Sequence, residues 1–520
     1  MGNVSESVMS AEQRKILAVM LVPMFMSLLS VSIVNVILPD MQRSIGASNS
    51  AIQWVLSGYT LAFGVFLVAA GRAGDLFGRG RLFVIGVGVF AAGSLIAGLA
   101  PDPLMLNLAR IVMGIGSGLL SPQGVGMIQQ YFHGKLRGRA FGMFGTIVGV
   151  SVGIGPVLGG GLIAILGDEW GWRSAFLINV PIALIAIILG RLWLPRSAWV
   201  GSDTAADSDT ASADAVSNDT TSNGTASDEG ASPDRAPNGD DRTRADFDPI
   251  GILLLAVGTL LVMLPFLERS LGAWIYALVP IGAVVVIVWV RWENRYARRG
   301  GSPMVDMQLF RTRSFAYGAS LSSVYFVGMP GVWVIVALYL QNGLGFPALE
   351  AGLIGLPSAL LSAAGAQAAG RVVLTFGRKM VVLGVGIALT GVVASALIVL
   401  AHETWGISIW WMLASLGVLG IGQGMTISPN QTLTLAEVPV EYAGTSGGIM
   451  QTGQRVGTAI GIAVVTAVFF AFQSLAGYSA AIIAGFTVIA LIIIAAGIIG
   501  VIDLGRGRKK AARAEELAKS

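Results

Sequence analysis

The sequence predicts an all-α polytopic membrane protein with two pseudo-symmetric six-helix bundles and two further helices inserted between them. Of its 520 residues 54% are hydrophobic and only 12% charged, and the mean hydropathy is +0.75. These values lie far outside the range of soluble domains. The apolar residues fall into runs near twenty, the length a helix needs to cross a ~30 Å hydrocarbon core. One short basic turn also occurs twice, at matching places in two apolar halves.

Fourteen spans are predicted as helices, since helices are the open-chain structure that pairs every backbone amide in lipid. Their approximate bounds are 16–39, 51–71, 82–100, 104–126, 140–165, 174–194, 249–267, 273–292, 315–340, 350–370, 380–401, 407–429, 446–473 and 479–502. The first run is too long for a signal-peptide core and lacks a cleavage pattern, so we expect it to remain as span 1. The chain has no cysteine, which excludes disulfides and thiolate chemistry.

The distribution of positive charge sets the orientation. Among the 33 Lys and Arg residues, those in connections on one face are Arg43, Arg173 and Arg269. Arg110 and Arg455 fall inside spans, and the others lie on the opposite face or at its helix ends. The positive-inside rule makes this basic face cytoplasmic. An even number of spans then places both termini in the cytoplasm, and we expect a plasma or inner cell membrane.

The spans and the connections between them define the predicted domains. These are a cytoplasmic N-terminus (1–15), an N-terminal six-helix bundle (16–194), a linker (195–248), two inserted helices (249–292), a basic loop (293–314), a C-terminal six-helix bundle (315–502) and a basic tail (503–520). The linker is rich in Ser, Asp, Thr and Gly and cannot bury enough surface to offset its ordering entropy. It is therefore predicted to be disordered, as a passive tether rather than a regulatory element.

Two motifs occur once in each half. The turn 71–79 (GRAGDLFGR) returns at 370–378 (GRVVLTFGR), and GIGSG at 114–118 returns as GIGQG at 420–424. These repeats pair spans 1–6 with spans 9–14 and leave spans 7 and 8 as the insertion. Internal repeats of this kind build a central site that opens alternately to the two sides of the membrane.

These segments resemble the major facilitator superfamily, in particular its fourteen-helix drug:proton antiporter branch. The segments that carry the resemblance are 71–81, 108–118, 149–160, 172–181, 248–251 and 303–315. The resemblance covers nearly the whole chain apart from the linker and the tail. It implies the major-facilitator fold and transport by alternating access.

Asp75 is predicted to form a conformational latch with Arg72 and Arg79. When the basic face is closed, its carboxylate could accept hydrogen bonds from a neighbouring helix N-terminus or from arginines. The alternative is a solvated charged loop. In the second copy of the turn Leu374 replaces Asp75, so we expect the second half to lack this latch.

Span 5 is predicted to be a gate between the halves, because one of its faces has almost no side chains. The residues of this gate helix are Gly149, Gly153, Gly155, Pro156, Gly159 and Gly160. Such a face lets helices pack closely and pivot, which is also what ordinary small-residue packing does. Three glycines of span 13 suggest a partner surface in the other half: Gly453, Gly457 and Gly461.

This sequence departs from the antiporter branch at the residues expected to couple transport to proton movement. The branch carries an acidic residue five positions before an asparagine in span 1, but here Ser30 precedes Asn35. Arg110 lies about 9 Å deep in span 4 and should face a cavity or a partner, with snorkelling as the alternative. No Asp or Glu lies well inside a span. Asp40, if close to Arg110, is the remaining candidate protonation site, and transport without proton coupling is the alternative.

The substrate-binding candidates lie in spans 2, 9, 12 and 13. They are Gln53, Tyr59, Tyr325, Phe326, Met329, Trp333, Gln423 and Gln451. A flexible aromatic and methionine lining suits promiscuous apolar ligands, although core packing explains the same spacing in span 9. Because Arg110 has no counter-charge in the spans, neutral or anionic amphiphiles are favoured over cations.

The predicted function is secondary active export of amphipathic small molecules, drugs included, by alternating access with proton antiport. One alternative is export of a neutral or anionic metabolite or lipid without carboxylate-based proton coupling, and another is a membrane sensor or scaffold. An enzyme is not expected, since the spans contain no paired carboxylates or metal-ligand cluster. No cofactor, metal or nucleic acid is predicted. The expected partners are substrate, protons and the lipid bilayer, and the expected state is a monomer.

Overall fold

The structure is a computed structural model that describes residues 9–201, 248–268 and 272–519. Within these ranges the chain is helical almost throughout. The helices are α1 (Ala11–Ser32), α2 (Val34–Ser44), α3 (Asn49–Phe77), α4 (Arg79–Gly98), α5 (Pro103–Tyr131), α6 (Gly134–Leu177), α7 (Asn179–Trp193), α8 (Pro249–Leu267), α9 (Leu278–Arg298), α10 (Arg313–Leu338), α11 (Ala348–Leu353), α12 (Leu356–Phe376), α13 (Arg378–Trp405), α14 (Met412–Thr434) and α15 (Ala443–Lys519).

Local sequence signals mark several helix starts. At α1, Ser10 Oγ accepts from the Gln13 backbone N–H at 3.0 Å, and Gln13 Oε1 accepts from the Ser10 N–H at 3.1 Å. This reciprocal pair is a capping box. At α5, Asp102 accepts from the Met105 N–H at 2.9 Å in front of Pro103. Proline suits this first position because its missing N–H has no partner there in any case.

The described residues contain 12 segments that are long and apolar enough to cross a membrane. One of them, Gly134–Trp193, has 60 residues and reverses direction at Gly167, whose φ is 77°. A Cβ built on Gly171 would lie 2.6 Å from the Ile163 Cα, although eight residues of straight helix span about 12 Å. This segment is therefore long enough for two crossings.

The last apolar segment also reverses direction at a glycine. Val440–Arg506 has 67 residues and breaks at Gly477, whose φ is 83°. A Cβ on Gly485 would lie 3.8 Å from Val465 Cγ1, so the chain also folds back on itself here. The predicted count of fourteen treats each long segment as two crossings, and that count stays a prediction.

Two separate hydrophobic cores confirm the two-bundle architecture. The first is formed mainly by residues between 16 and 198, and the second by residues between 325 and 496. Each core draws on several helices of its own half, for example Phe83 with Met113 in the first and Leu416 with Ile489 in the second. The chain is therefore divided between its halves as the repeated motifs predict.

The two bundles meet along two seams lined by glycine. In the α3–α15 seam, a Cβ on Gly71 would collide with the carbonyl oxygen of Gly444. In the α6–α12 seam, a Cβ on Gly138 would lie 2.5 Å from the carbonyl oxygen of Gly370. Gly71 and Gly370 occupy the same place in the repeated turn, so the repeat in sequence becomes a repeat in packing. Without a Cβ, the backbones of helices from opposite bundles can touch.

The inserted helices α8 and α9 pack on each other and cover one seam. A Cβ on Gly282 of α9 would lie 2.9 Å from Val262 of α8. Met263 of α8 is fully buried in a cluster with Leu61 of α3 and Ala459 of α15. Helix α8 therefore lies against the α3–α15 seam, which makes the arrangement asymmetric although the two halves are similar.

Three predicted boundaries shift in the structure. The predicted linker begins with an anchored piece, since Ala198 is 1% exposed, whereas residues 202–247 lie outside the described residues, as does Arg269. The predicted basic loop begins inside α9, where Glu293 is buried and accepts from Trp289 Nε1 at 2.8 Å. The predicted tail begins with the buried residue Asp503 and continues α15. Each of these residues is buried by tertiary contacts, which local composition does not reveal.

Candidate gating and transport site

Asp75 lies near the end of α3, buried between the two bundles. Its side chain is 0% exposed. Oδ1 accepts from the Gly444 N–H at 2.9 Å, and Oδ2 accepts from the N–H and Oγ1 of Thr445 at 2.8 Å each. Gly444 and Thr445 belong to the first turn of α15. The carboxylate thus occupies a helix N-terminus of the opposite bundle, where free N–H groups and the helix dipole favour an anion.

Arg79 completes this contact from the first turn of α4. Its Nε and Nη2 donate to Asp75 Oδ1 at 3.1 and 2.9 Å. Nη1 donates to Gln130 Oε1 at 2.7 Å, and Nη2 also donates to the carbonyl oxygen of Val440. Gly78, with a φ of 100°, joins α3 directly to α4, which directs Arg79 back over Asp75.

Arg72 does not join this cluster. It is 9% exposed, and its Nε has no hydrogen-bond partner within the described part of the chain. The acceptor positions of Asp75 are taken by the α15 N-terminus and Arg79. The structure therefore brings together two of the three predicted latch residues.

Sequence reasoning missed the partners of Asp75 in α15. The signal that could have revealed them is the run of small residues at 443–448 (AGTSGG). A helix that begins with so few side chains invites close approach by another helix. The partner cannot be read from that run alone, because Asp75 and Gly444 are 369 residues apart.

Two further contacts close the basic face between the bundles. Gln129 Nε2 of α5 donates to the carbonyl oxygens of Leu435 and Val438 at 3.1 and 2.7 Å. Ser121 Oγ of α5 donates to Gln451 Oε1 of α15 at 2.6 Å. Gln451, a predicted substrate contact, thus bridges the bundles here. In this structure the basic face is closed by side chains from α3, α4 and α5.

Arg110 lies inside the N-terminal bundle and is 1% exposed. Its Nε donates to the carbonyl oxygen of Val55 at 2.9 Å, and its guanidinium carbon lies 4.3 Å from the centre of the Tyr59 ring. The Tyr59 hydroxyl is in turn 2.7 Å from Ser117 Oγ. Both predicted site residues therefore belong to one buried network that links α3 and α5.

Asp40 does not contact Arg110, contrary to the sequence expectation. It forms an ion pair with Arg43, three residues further along α2. Arg43 is also 3.8 Å from Asp168, which follows the reversal at Gly167. Asp40 is therefore paired at the end of its helix, whereas Arg110 contacts residues of α3 inside the bundle.

Ser30 and Asn35 face different surroundings. Ser30 is 1% exposed and accepts a hydrogen bond from Asn179 Nδ2 at 3.1 Å. Asn35 is exposed and donates to the carbonyl oxygen of Val31. Five residues rotate a helix by about 140°, so the two side chains cannot share a face. The position where the branch has a carboxylate is directed into the N-terminal bundle.

The predicted gate helix, the first part of α6, uses two faces rather than one. Gly149 and Gly153 face Ala359 of α12 in the other bundle, with built Cβ atoms 2.9 Å from its oxygen and 2.6 Å from its Cβ. Gly155 and Gly159 instead contact the α1–α2 junction of their own bundle. The run therefore joins the two bundles on one side and fixes α6 within its own bundle on the other.

The other predicted gate residues also differ in their contacts. A Cβ built on Gly352 of the other bundle would lie 3.7 Å from the Pro156 Cβ, and a Cβ on Gly160 would meet nothing within 4 Å. The glycines of span 13 do not face α6. Gly457 and Gly461 pack on α10 of their own bundle, where built Cβ atoms meet Ser323 and Val327.

The aromatic group of span 9 lies largely in the C-terminal core. Tyr325 and Met329 are 1% and 2% exposed, and Phe326 and Trp333 pack partly buried against the same core. Gln53 is exposed. Gln423 of α14 is half-buried. The structure does not gather these candidates into one surface.

The second copy of the turn makes a different ion pair. Leu374 is 46% exposed. Arg378 donates its Nε to Asp503 Oδ2 at 2.8 Å, and Arg313 Nη2 lies 3.1 Å from Asp503 Oδ1. All three charged residues belong to the C-terminal half. The ion pair of the first turn thus lies against the opposite bundle, whereas the arginine of the second turn pairs within its own half.

Two helical bundles that meet along repeated seams, with a buried carboxylate between them at one face, define a polytopic membrane transporter. The chain belongs to the Major Facilitator Superfamily, whose family model matches residues 20–217 and 247–462. This confirms the family and the fold implied by the motifs.

Its relatives include exporters of natural products and drugs. The chain is 34% identical over 458 residues to the probable actinorhodin transporter of Streptomyces coelicolor, covering 87% of this chain and 72% of that protein. It is 29% identical to multidrug resistance protein Stp of Mycobacterium tuberculosis, covering 87% and 75%. The human organic anion transporter MFSD10 aligns with a TM-score of 0.64 and 13% identity, over 95% of this chain and 100% of that chain. This last likeness concerns the fold alone.

Proposed function

We propose that this chain is a secondary active transporter that exports amphipathic small molecules from the cell by alternating access. The observation that carries the proposal is the Asp75 contact, which joins the two bundles at one face through groups that can separate. The family and its drug-exporting relatives support the same function. A sensor or scaffold would leave an inter-bundle contact of this kind without a role.

Asp75 and Arg79 act as the latch of the basic face, which we place in the cytoplasm of a cell membrane together with both termini. The excess of Lys and Arg on that face supports the orientation. When the latch breaks, α3 and α15 separate and substrate enters from the cytoplasm. When it forms, the bundles close behind the substrate, which leaves on the other side. One monomer contains both bundles and suffices for this cycle.

Proton antiport is the energy source that we propose, with Asp40 as the candidate protonation site. The specific alternative is export of a neutral or anionic metabolite without carboxylate-based coupling. That alternative is favoured by Ser30, which occupies the place of the branch carboxylate within a hydrogen-bonded network. With proton antiport, the partners are the lipid bilayer, the substrate and protons. Without it, the partners are the lipid bilayer and the substrate.

Purified protein in liposomes tests both proposals. A fluorescent amphiphile is added outside, and a pH-sensitive dye is trapped inside. Movement of the amphiphile by the wild type, lost in Asp75→Ala protein of normal insertion, is the expected result for an exporter. A simultaneous pH change that depends on the amphiphile supports antiport. Amphiphile movement without a pH change would contradict antiport, and no movement of any tested compound would contradict transport.

A further inference from the structure

Arg455 is a cation near the middle of the membrane. Helix α15 begins at Ala443, so Arg455 lies about 18 Å along it, roughly half of a ~30 Å core. Its guanidinium carbon is 4.2 Å from the centre of the Phe63 ring of α3. An arginine from one bundle therefore stacks on an aromatic ring of the other at mid-depth. An ionisable residue at that depth is costly and points to function.

No carboxylate within the described part of the chain contacts Arg455. The helices packed around it are α3, α8 and α10, and the acidic residues at their described ends are Asp75, Asp248 and Glu268. Asp75 is about 18 Å from Phe63 along α3 and is already bound by α15 and Arg79. The Arg455 guanidinium thus stacks on the Phe63 ring. An aromatic ring offsets only part of the cost of burying a positive charge.

Arg110 also stacks on an aromatic ring, that of Tyr59, but it is enclosed within its own bundle. It is 1% exposed and donates to the backbone carbonyl of Val55. Arg455 is partly exposed instead and lies where the two bundles meet. Of these two intramembrane arginines, Arg455 is the one that a ligand can reach.

Helix α8 of the inserted pair packs close to Arg455. Gly64, next to Phe63, faces both the Arg455 Cβ at 3.6 Å and the Met263 sulfur of α8 at 2.9 Å, measured from a built Cβ. A cavity of about 380 Å³ lies between α8, α9, α10 and α15. Its wall includes Thr452 and Val456 of α15, so the cavity lies at the depth of Arg455. Arg455 itself is directed toward Phe63 of α3 and is not one of the lining residues. The volume of the cavity is within the range of small-molecule pockets.

We propose that Arg455 binds the anionic group of the substrate, so that the transported class is organic anions with an apolar body. The guanidinium supplies the counter-charge, and the Phe63 ring fixes its position at the meeting point of the bundles. The Phe63 ring and the apolar helix faces at this depth suit an apolar body. This inference rests on the proposed transport function and names its substrate class.

A matched pair of probes tests the charge. The anion is 1-anilinonaphthalene-8-sulfonate, and the neutral counterpart is N-phenyl-1-naphthylamine, which has the same aromatic body without the sulfonate. Binding to purified full-length protein is measured by quenching of its tryptophans, and transport is measured in liposomes. For the wild type we expect a Kd for the anion at least tenfold below that for the neutral compound.

Variants at position 455 assign that preference to its side chain. Arg455→Gln is expected to raise the Kd of the anion about tenfold or more and to leave the neutral compound within about twofold. Arg455→Lys keeps the charge and should retain most of the preference. Arg299→Gln, an exposed change of the same type after the end of α9, should alter neither Kd.

The outcomes separate the two proposals. A wild type that binds both probes equally, or an Arg455→Gln protein that keeps the preference, overturns the assignment of Arg455. The wild-type comparison applies even if the variant fails to fold. A wild type that prefers the anion in binding but moves neither probe across the membrane contradicts the transport function instead.

Discussion

The Asp75 carboxylate is stabilised by groups from both bundles, and its burial makes their separation costly. It accepts hydrogen bonds from the first turn of α15 and from Arg79. Hydrogen bonds to a charged group contribute about 1.5–3 kcal/mol each. Only part of this favours the closed state, because water replaces these donors when the bundles part. The closed basic face is therefore stable without being permanently locked.

Replacing Asp75 by Asn should open the basic face. The amide cannot neutralise Arg79, and breaking a buried ion pair by removing one partner costs about 3–5 kcal/mol. Since each 1.4 kcal/mol is about tenfold in an equilibrium, the population of the open state relative to the closed state should rise by roughly a hundredfold to a few thousandfold. The cysteine-free chain allows spin labels at Arg81→Cys and Lys379→Cys, whose separation is measured by electron–electron resonance.

The control for this change is Asp102→Asn. Asp102 caps α5 at the opposite face through the Met105 N–H, and Asn caps a helix as well as Asp does. The label distance should stay as in the wild type. An unchanged distance in Asp75→Asn would show that Asp75 does not control closure of the basic face.

The helices that form the two seams depend on glycine where backbones touch. Helix α6 contains both kinds of position, because a Cβ built on Gly149 would lie 2.9 Å from the Ala359 oxygen whereas one built on Gly160 would meet nothing within 4 Å. A methyl group at the first position has to push two backbones apart. At the second position it has open space and improves helix propensity.

Gly149→Ala should therefore impair transport and Gly160→Ala should not. Overpacking at the seam should cost about 1–3 kcal/mol, which would lower both the unfolding temperature in detergent and the rate of transport. The matched variant Gly160→Ala should retain wild-type values of both. Equal behaviour of the two variants would mean that α6 does not act at the α6–α12 seam.

The second turn can be given a latch of its own. Leu374 has the place of Asp75 in the repeat, and the α6 N-terminus has no side-chain cap from His133. Leu374→Asp should place a carboxylate near this helix end, where an anion contributes about 0.3–1 kcal/mol or more. We expect slower turnover with normal substrate binding. Leu374→Asn, without the charge, should turn over faster than Leu374→Asp, and identical rates would contradict the expectation.

In the whole molecule, the inserted helices cover one of the two seams between the bundles and leave the other uncovered within the described residues. Helices α8 and α9 lie over the α3–α15 seam, the seam that contains Asp75 and Arg455. No second inserted pair covers the α6–α12 seam in the described part of the chain. Motion of the bundles must therefore carry α8 along with one bundle or let it slide, and the apolar cavity beside it leaves room for such a shift.

A covalent bridge between the bundles should stop the cycle. Ser121 and Gln451 are hydrogen-bonded across the α5–α15 contact at 2.6 Å, and the chain has no native cysteine. In Ser121→Cys/Gln451→Cys protein, a short bis-methanethiosulfonate cross-linker, which attaches to each cysteine through a disulfide, should abolish transport, and reduction of those disulfides should restore it. Each single-cysteine variant, treated alike, should stay active. Full transport by cross-linked protein would exclude separation of the bundles at this face.

Much of the architecture follows from local sequence. Hydropathy, the need to pair backbone amides in lipid and the repeated turn predict a two-bundle membrane transporter, because each depends on neighbouring residues in the chain. The sequence also predicts the pairing of Asp75 with Arg79, which stand four residues apart in a turn rich in glycine and arginine. The role of this pair as a latch stays a prediction.

The partners of those residues depended on the tertiary structure. Asp75 meets Thr445, 370 residues away, while Asp40 pairs with Arg43 instead of Arg110, and Ser30 faces Asn179. Which side of a helix meets which neighbour depends on how the helix is rotated about its own axis and on how deep it lies in the membrane. In a span that is apolar on all sides, the hydrophobic pattern carries little information about this rotation or this depth. The contacts across the seams therefore became visible only when the two bundles were placed together.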